Sequence, residues 1–191
     1  MATPQNSLST DSARYNLVAI ALHWLLALAL VGMFGMGLYM ADLPFSPLRI
    51  KLYNWHKWAG VCVLALSLLR LLWRATHRPP ELPVAVAQAM PRWQHLAHHG
   101  THGALYALFF AVPLIGWAYS SAAGFPIVLF GQFALPDFVG PDKALSLLIK
   151  PWHKFSAFAL AGLVLLHVAA ALKHQWIDRD KLIARMLPGR D

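Results

Sequence analysis

The sequence has very few cysteines and few charged residues. Its 191 residues include one cysteine, Cys62, and only 13% are charged, whereas a soluble domain carries about 25% charged residues. A single cysteine excludes an intrachain disulfide, a cysteine-ligated iron–sulfur cluster and a cysteine-based zinc site. Because Cys62 lies inside an apolar run, we expect it to be a small, buried, apolar side chain.

Acidic residues are also scarce. Asp and Glu together number 8 against 16 Lys and Arg, so the formal net charge is +8. The charges lie at the ends of apolar segments, which indicates contact with anionic lipid headgroups or an anionic substrate rather than with nucleic acid. We expect no cleavable signal peptide, because the polar residues 1–14 precede an apolar segment too long for a signal-peptide core.

Long apolar runs are what the sequence has in abundance, since 58% of its residues are hydrophobic. Four runs, at about residues 16–40, 49–74, 98–121 and 151–176, each exceed the roughly 20 residues of a membrane-spanning helix. The sequence therefore predicts an all-α transmembrane four-helix bundle, a single integral membrane domain over residues 1–191. Pro113 should kink the third helix. In the outer loop, residues 122–148, the apolar stretch 125–130 is expected to form a re-entrant or surface-lying cap.

The basic residues predict how the bundle is oriented. Four spans place both termini on one side, which carries Arg14, Arg70, Arg74, Arg78, Arg92, Lys173, Arg179, Lys181, Arg185 and Arg190. The opposite side carries Arg49, Lys51, Lys57, Lys143, Lys150 and Lys154. This excess favours cytoplasmic N- and C-termini.

Four histidines in the spans form two pairs by depth. His23 and His167 lie near the inner surface, and His56 and His153 lie near the outer surface. His153 and His167 are about 21 Å apart on one face of the fourth helix, at about 1.5 Å and 100° per residue. Polar residues inside spans are costly and usually functional, and two imidazoles complete the axial ligation of heme iron. The pairs therefore predict two b-type hemes that carry electrons across the membrane, although a single histidine could instead bond a nearby backbone or hydroxyl group.

Arg70 and His174 lie near the predicted inner heme. Arg70 follows His56 by the spacing that separates His167 from His153, so it could bind a heme propionate or extend to the lipid headgroups. His174 lies two helical turns beyond His167. Its position suits a quinone carbonyl donor, a proton relay or an ordinary interfacial histidine.

Two further groups of residues allow more than one interpretation. His102 could replace His23 as the inner ligand, and a metal site built on His98 and His102 is conceivable because the two share a helix face. The wider cluster at the start of the third helix is His95, His98, His99 and His102. The glycines Gly32, Gly35 and Gly37 could permit close helix contact within the bundle or between copies in a homo-oligomer.

Several short motifs, taken in order, resemble the bacterial cytochrome b561 family over about residues 14–188. The stretches are Ala21-Leu22-His23-Trp24, Trp55-His56-Lys57, His102-Gly103-Ala104-Leu105-Tyr106, Pro113-Leu114-Ile115-Gly116-Trp117, Trp152-His153-Lys154, and Leu166-His167-Val168-Ala169-Ala170 with His174. The resemblance implies a di-heme four-helix membrane protein with the same two ligand pairs and with His174 at a quinone. The inner loop between Arg74 and His98 differs in length from that of the family, so the resemblance does not identify a basic residue at the quinone. Arg92 is only a candidate for that position.

The pattern is most similar to members of the family that oxidise superoxide to dioxygen and pass the electron to ubiquinone. In that interpretation Lys57 and Lys154, with Arg49, Lys51 and Lys150, steer the anion to the outer surface. The same cations could simply anchor the protein to lipid headgroups.

Two alternatives belong to other functional classes. One is an electron-relay subunit between a partner dehydrogenase or hydrogenase and the quinone pool. The other is a metal transporter that uses the histidines as a pathway and binds no heme.

Overall fold

The computed structural model describes residues 14–180 and 182–189 of the chain. Two members of the predicted basic terminal side, Lys181 and Arg190, lie outside these residues. Most of the polar segment on which the signal-peptide expectation rests also lies outside them.

Five α-helices make up most of the described chain, and four of them are long. They are α1 (Leu17–Asp42), α2 (Pro47–Thr76), the short α3 (Val84–Ala89), α4 (Arg92–Ala122) and α5 (Lys143–Lys173). A single π-helical turn, His174–Asp178, continues α5, and a 3₁₀ helix covers Leu182–Met186. The four long helices are long and apolar enough to cross a membrane. The predicted transmembrane four-helix bundle is confirmed.

Side-chain caps explain where three of the long helices begin. The side chains of Asn16, Ser46 and Asp142 accept hydrogen bonds from backbone N–H groups in the first turns of α1, α2 and α5. The cap at Asp142 starts α5 at Lys143, so Pro151 lies inside the helix and not at its start. A proline there removes only one backbone donor, and the following turns continue.

The start of the third span also differs from the sequence expectation. Helix α4 begins at Arg92, ahead of the expected start near His98, and it runs through Pro113 to Ala122. The histidine cluster therefore lies within the first turns of a helix.

The loop between α4 and α5, residues 123–142, folds into a small β-hairpin. Strands β1 (Val128–Leu129) and β2 (Phe133–Ala134) pair antiparallel. The turn between them holds Phe130 and Gly131 at φ 53° and 72°. Trp58 Nε1 donates to Val128 O at 2.7 Å, which fixes the hairpin to α2. The loop therefore covers this end of the bundle and contacts α2.

The long helices pack as a ring that is tight on three sides. Helix α1 packs against α2, α2 against α4, and α4 against α5. Helices α1 and α5 meet in mid-span, where the Phe34 and Phe158 rings have centroids 5.3 Å apart. Large apolar side chains such as Leu28 and Leu165, each 70% exposed, cover the outside, where lipid would contact them. The expectation that Cys62 is buried is wrong, because its side chain lies on this outer surface.

Candidate functional site

We call the bundle end where α1 begins and α5 ends the terminal face, and the opposite end, with the 123–142 loop, the loop face. Near the loop face, His56 on α2 and His153 on α5 have ring centroids 6.3 Å apart and planes at 89°. The Nδ1–H of His153 donates to Val112 O on α4 at 3.1 Å. This bond leaves Nε2 of a neutral His153 ring unprotonated, as a metal ligand must be. Among the described residues, the buried Nδ1 of His56 has no hydrogen-bond partner.

Near the terminal face, His23 on α1 and His167 on α5 also have ring centroids 6.3 Å apart, with planes at 62°. Two imidazoles on opposite sides of one metal ion, each with a metal–nitrogen bond of about 2 Å, have centroids roughly 6 Å apart. Both pairs fit this spacing. The ring centroids of His102 and His167 are 5.3 Å apart, which is shorter than this spacing. The Nδ1–H of His102 donates to His98 O at 2.8 Å, as that of His153 does to Val112 O, so this bond does not distinguish the candidates. The geometry therefore favours His23 over His102 as the partner of His167.

The space around the loop-face pair has the size and lining of a cofactor site. A cavity of about 350 Å³ reaches both rings and has mostly apolar walls from all four long helices, within the usual range of about 300–1,000 Å³. Gly116 on α4 forms part of the wall. A Cβ added there would lie 2.7 Å from Cε1 of His153, whereas one added at Gly37 would lie 3.5 Å from Cε1 of His56. The His153 ring is therefore held in a slot that only glycine leaves open.

Besides the two histidines, five polar side chains line the same cavity: Tyr53, Lys57, Trp117, Tyr119 and Ser120. The Nζ of Lys57 donates to Phe125 O at 3.3 Å and to Pro126 O at 3.2 Å. Nε1 of Trp117 is buried and has no acceptor in the part of the chain that the structure describes. These groups are the donors available to an anion or a propionate at this cavity.

The two lysines expected to steer an anion differ in their surroundings. Lys57 is half-buried beneath the loop and lines the cavity, so it does not lie on an open rim. Lys154 is exposed and does not line the cavity. Sequence reasoning did not identify the contacts of Lys57 with the loop, or the role of Trp117, because both depend on how residues 123–142 fold back.

Arg70 and Arg92 lie in different surroundings at the terminal face. Arg70 Nη1 donates to Ala19 O on α1 at 3.3 Å. Arg70 also lines a second cavity, of about 200 Å³, beside Leu22, the neighbour of His23. Arg92 is the exposed first residue of α4 and lines neither cavity.

His174 forms a closely held dyad with Asp180. Its Nδ1 donates to Asp180 Oδ2 at 2.6 Å, and Asp178 Oδ2 lies 3.1 Å away. The backbone N–H of Leu182 donates to Asp180 Oδ1 at 3.2 Å, which orients the carboxylate. The side chains of His174 and Asp180 are 20% and 9% exposed. The bond fixes the tautomer in which Nε2 is free to accept or transfer a proton.

Asp180 was not among the sequence candidates, although it follows His174 by six residues. A left-handed residue, Arg179 at φ 58°, ends the π-helical turn and redirects the chain so that Asp180 reaches back to the ring. Asp178, by contrast, is paired with Lys173 Nζ at 2.6 Å.

The remaining histidines of α4 form a short row of rings. The centroids of His98 and His102 lie 4.5 Å apart, and those of His98 and His99 lie 5.4 Å apart. His95 is directed elsewhere, with Nε2 3.2 Å from Ala87 O of α3.

Comparisons with known proteins agree with this architecture. The family described as "Prokaryotic cytochrome b561" matches residues 14–189. "Cytochrome b561 homolog 2" of Escherichia coli is 34% identical over 182 residues, which cover 95% of this chain and 95% of that protein. "Cytochrome b561 homolog 1" of Escherichia coli is 30% identical over 186 residues, covering 93% and 98%. "Probable superoxide oxidase CybB" of Yersinia pestis is 28% identical over 180 residues, covering 92% and 96%.

The family match spans nearly the whole described chain, and the helices carry paired histidines at both ends of an apolar bundle. Family membership implies b-type heme, which these residues fit. The chain belongs to the prokaryotic cytochrome b561 family of membrane electron-transfer proteins.

Proposed function

We propose that this protein is a superoxide:ubiquinone oxidoreductase of the bacterial inner membrane, with its terminal face in the cytoplasm. Two superoxide ions each give up one electron and leave as dioxygen, and one ubiquinone takes up the two electrons and two protons. The observation that carries the proposal is the pair of histidine sites with the same 6.3 Å ring spacing, one near each end of the bundle. The similarity to a probable superoxide oxidase supports the choice of substrate.

Two b-type hemes are assigned to these sites, one on His23 and His167 and the other on His56 and His153. When bound, the hemes supply one-electron carriers that connect the two membrane surfaces. Of the four ligand rings, that of His153 is held in place by its bond to Val112 O and by the glycine slot at Gly116.

On the loop face, Lys57 and Lys154 are assigned separate roles. Lys154 is exposed and adds to the positive field that draws a small anion inward, an effect worth about tenfold or more in association rate at low salt. Lys57 lies at the cavity wall, where its ammonium group can attract the same anion once it has passed the loop. Its bonds to the carbonyls of Phe125 and Pro126 keep this charge at one position.

On the terminal face, His174 is assigned to one carbonyl oxygen of ubiquinone. The Nδ1–H bond to Asp180 directs Nε2 away from the carboxylate. When His174 is protonated, Nε2–H can donate to the reduced oxygen while Asp180 stabilises the imidazolium. Since this face is assigned to the cytoplasm, the protons of the quinol come from that side. Arg92, exposed at the start of α4, is the candidate for a second quinone contact.

The proposal is tested with purified, heme-loaded protein, a steady source of superoxide and a soluble ubiquinone analogue. We expect quinol formation well above the uncatalysed reaction, with two heme b per chain. His174→Gln should slow quinol formation while the heme content stays at two. The matched change His77→Gln alters a histidine of the same face that stacks on Trp73, and it should have little effect. Quinol formation at the uncatalysed rate by protein with both hemes would refute the superoxide assignment.

A second candidate function is an electron-relay subunit between a partner dehydrogenase or hydrogenase and the quinone pool. The observation that favours it is on the loop face, where the 123–142 loop exposes Phe125, Phe130, Phe133 and Phe138 by 50% to 69%. A partner protein could cover these rings. Stoichiometric co-purification of a redox partner, lost when Phe130 and Phe133 are changed to Ser, would support this function.

A further inference from the structure

The smaller cavity, at the terminal face, is lined by four arginines. They are Arg14 before α1, Arg70 and Arg74 on α2, and Arg78 after α2, and none of the described residues that line the cavity is Asp or Glu. Guanidinium groups stay charged at any physiological pH. In the described ranges 14–180 and 182–189, none of the four forms a salt bridge. Four permanent charges therefore line about 200 Å³, and no carboxylate from the described part of the chain lines it with them.

The walls of this arginine cavity are built by contacts that cross the whole terminal face. Arg185 is 3% exposed and donates to Pro80 O at 2.9 Å and to Glu81 O at 2.8 Å, which holds the segment after α2 against the 3₁₀ helix. Tyr15 N donates to Arg185 O at 3.2 Å. Trp24 Nε1 donates to Met186 O at 2.7 Å. The cavity is thus held open between the N-terminal segment, α2 and the C-terminal segment.

Two more contacts fix the aromatic side of the cavity. Asn16 Oδ1 accepts from Trp73 Nε1 at 3.0 Å while it caps α1. The Trp73 ring stacks on His77, with centroids 3.8 Å apart and planes at 7°. An indole at this depth suits the membrane–water interface, where lipid headgroups lie.

The cavity has a deep end and a shallow end. Its deep end reaches Leu22, next to His23, and Arg70 is the arginine of α2 nearest to that end. Arg74 lies one helical turn farther toward the surface, and Arg78 follows the last turn of α2. A propionate of the heme proposed on His23 and His167 would pair with Arg70 at the deep end. It would leave the charges of Arg74, Arg78 and Arg14 at the shallow end without an anion.

We propose that the shallow end of the arginine cavity binds a phosphate group. The guanidinium fork of arginine matches phosphate oxygens in pairs, and several such forks suit one tetrahedral group. The source is either an anionic phospholipid of that leaflet or a soluble phosphate. Basic pockets between membrane helices are a known way to hold lipid phosphates. The site is independent of the superoxide activity proposed above.

The experiment uses heme-loaded protein in detergent, with two probes. Native mass spectrometry measures retention of phosphatidylglycerol against phosphatidylcholine, and thermal unfolding measures stabilisation by inorganic phosphate against chloride at equal ionic strength. The test variant is Arg74→Gln with Arg78→Gln. The matched control, Lys143→Gln with Lys150→Gln, removes two exposed charges at the loop face.

The wild-type protein should retain one phosphatidylglycerol selectively if the source is lipid, or show saturable stabilisation by phosphate if the source is soluble. The test variant should bind whichever probe the wild type binds roughly 25-fold more weakly, about fivefold for each arginine. The control should bind as wild type does. Arg78→Gln alone, which changes an exposed residue outside the helices, should weaken binding about fivefold if the double variant does not fold.

Three results would overturn the proposal. The first is that neither probe binds to wild-type protein that carries both hemes. The second is that the control weakens binding as much as the test variant, which would mean nonspecific charge attraction. The third is that the test variant loses a heme, because the arginines would then serve the heme propionates along the whole cavity.

Discussion

Replacing Gly116 by alanine should remove the loop-face heme and leave the terminal-face heme in place. The glycine lies on α4 where the His153 ring crosses the helix. A Cβ there would lie 2.7 Å from Cε1 and 3.0 Å from Nδ1 of His153, distances at which atoms must move. The ring would shift away from α4 and lose its hydrogen bond to Val112 O.

The size of the effect follows from two terms. Overpacking in a close-packed interior costs about 1–3 kcal/mol, and the lost hydrogen bond costs about 1 kcal/mol. Together they weaken the loop-face site by about 2–4 kcal/mol, or roughly 30-fold to 1,000-fold in heme affinity at about 1.4 kcal/mol per factor of ten. Helix stability itself does not fall, since alanine is favoured over glycine in a helix by about 1 kcal/mol.

The assay is heme b per chain in the purified protein, together with the reduced-minus-oxidised absorption spectrum. We expect Gly116→Ala to fall from two hemes toward one. Gly103→Ala, on the same helix with no atom within 4 Å of the added Cβ, should keep both hemes, and Gly37→Ala, at 3.5 Å from His56, should have only a small effect. If Gly116→Ala keeps two hemes with wild-type affinity and spectrum, the assignment of His153 as a heme ligand in this slot is refuted.

Three further changes test other parts of the structure. Asp180→Asn should lower the rate of quinol formation by about tenfold or more, because the carboxylate that orients His174 is lost. The heme content should not change, and Asp180→Glu should restore part of the rate. An unchanged rate in Asp180→Asn would contradict the role of the dyad. Lys57→Gln should loosen the 123–142 loop near Phe125 and Pro126, because two charge-assisted hydrogen bonds are lost while the bond from Trp58 to Val128 O remains. Hydrogen exchange in the loop should rise. Lys154→Gln should leave the loop unchanged and lower the rate at low salt only, and a loop exchange rate as in the wild type for Lys57→Gln would contradict the described contacts. Arg185→Ala should destabilise the terminal face by about 2–4 kcal/mol, because the buried guanidinium that donates to Pro80 O and Glu81 O is removed. Thermal unfolding measures this loss. A variant as stable as the wild type would count against the described role of Arg185.

The sequence was a good guide to the bundle because apolar length alone decides how many spans there are. It also indicated which histidines share a depth, since a helix advances by a constant rise per residue. Depth favours His23 as the partner of His167, because His102 lies closer to the membrane surface, but depth alone leaves His102 as an alternative. The spacing of the rings bears on that choice: the ring centroids are 6.3 Å apart for His23 and His167 and 5.3 Å apart for His102 and His167.

The sequence was a poor guide wherever a contact joins distant parts of the chain. The sequence predicts that the fourth helix starts at about Pro151, whereas α5 starts at Lys143 because the Asp142 side chain caps it there. The exposed position of Cys62 depends on which face of α2 packs inward. The sequence predicts Lys57 to be an open surface charge, whereas in the structure the carbonyls of Phe125 and Pro126 accept hydrogen bonds from it.

The sequence by itself therefore determined the membrane class, the four spans and which histidines share a depth, because these follow from local composition and helical periodicity. It indicated the family through the resemblance of several short motifs taken in order. The tertiary structure alone decided the spacing between rings, the glycine slot at His153, the dyad of His174 with Asp180 and the convergence of four arginines on one cavity. Each of these depends on side chains from different helices or loops meeting at a defined distance, and the bundle sets that distance only when it packs.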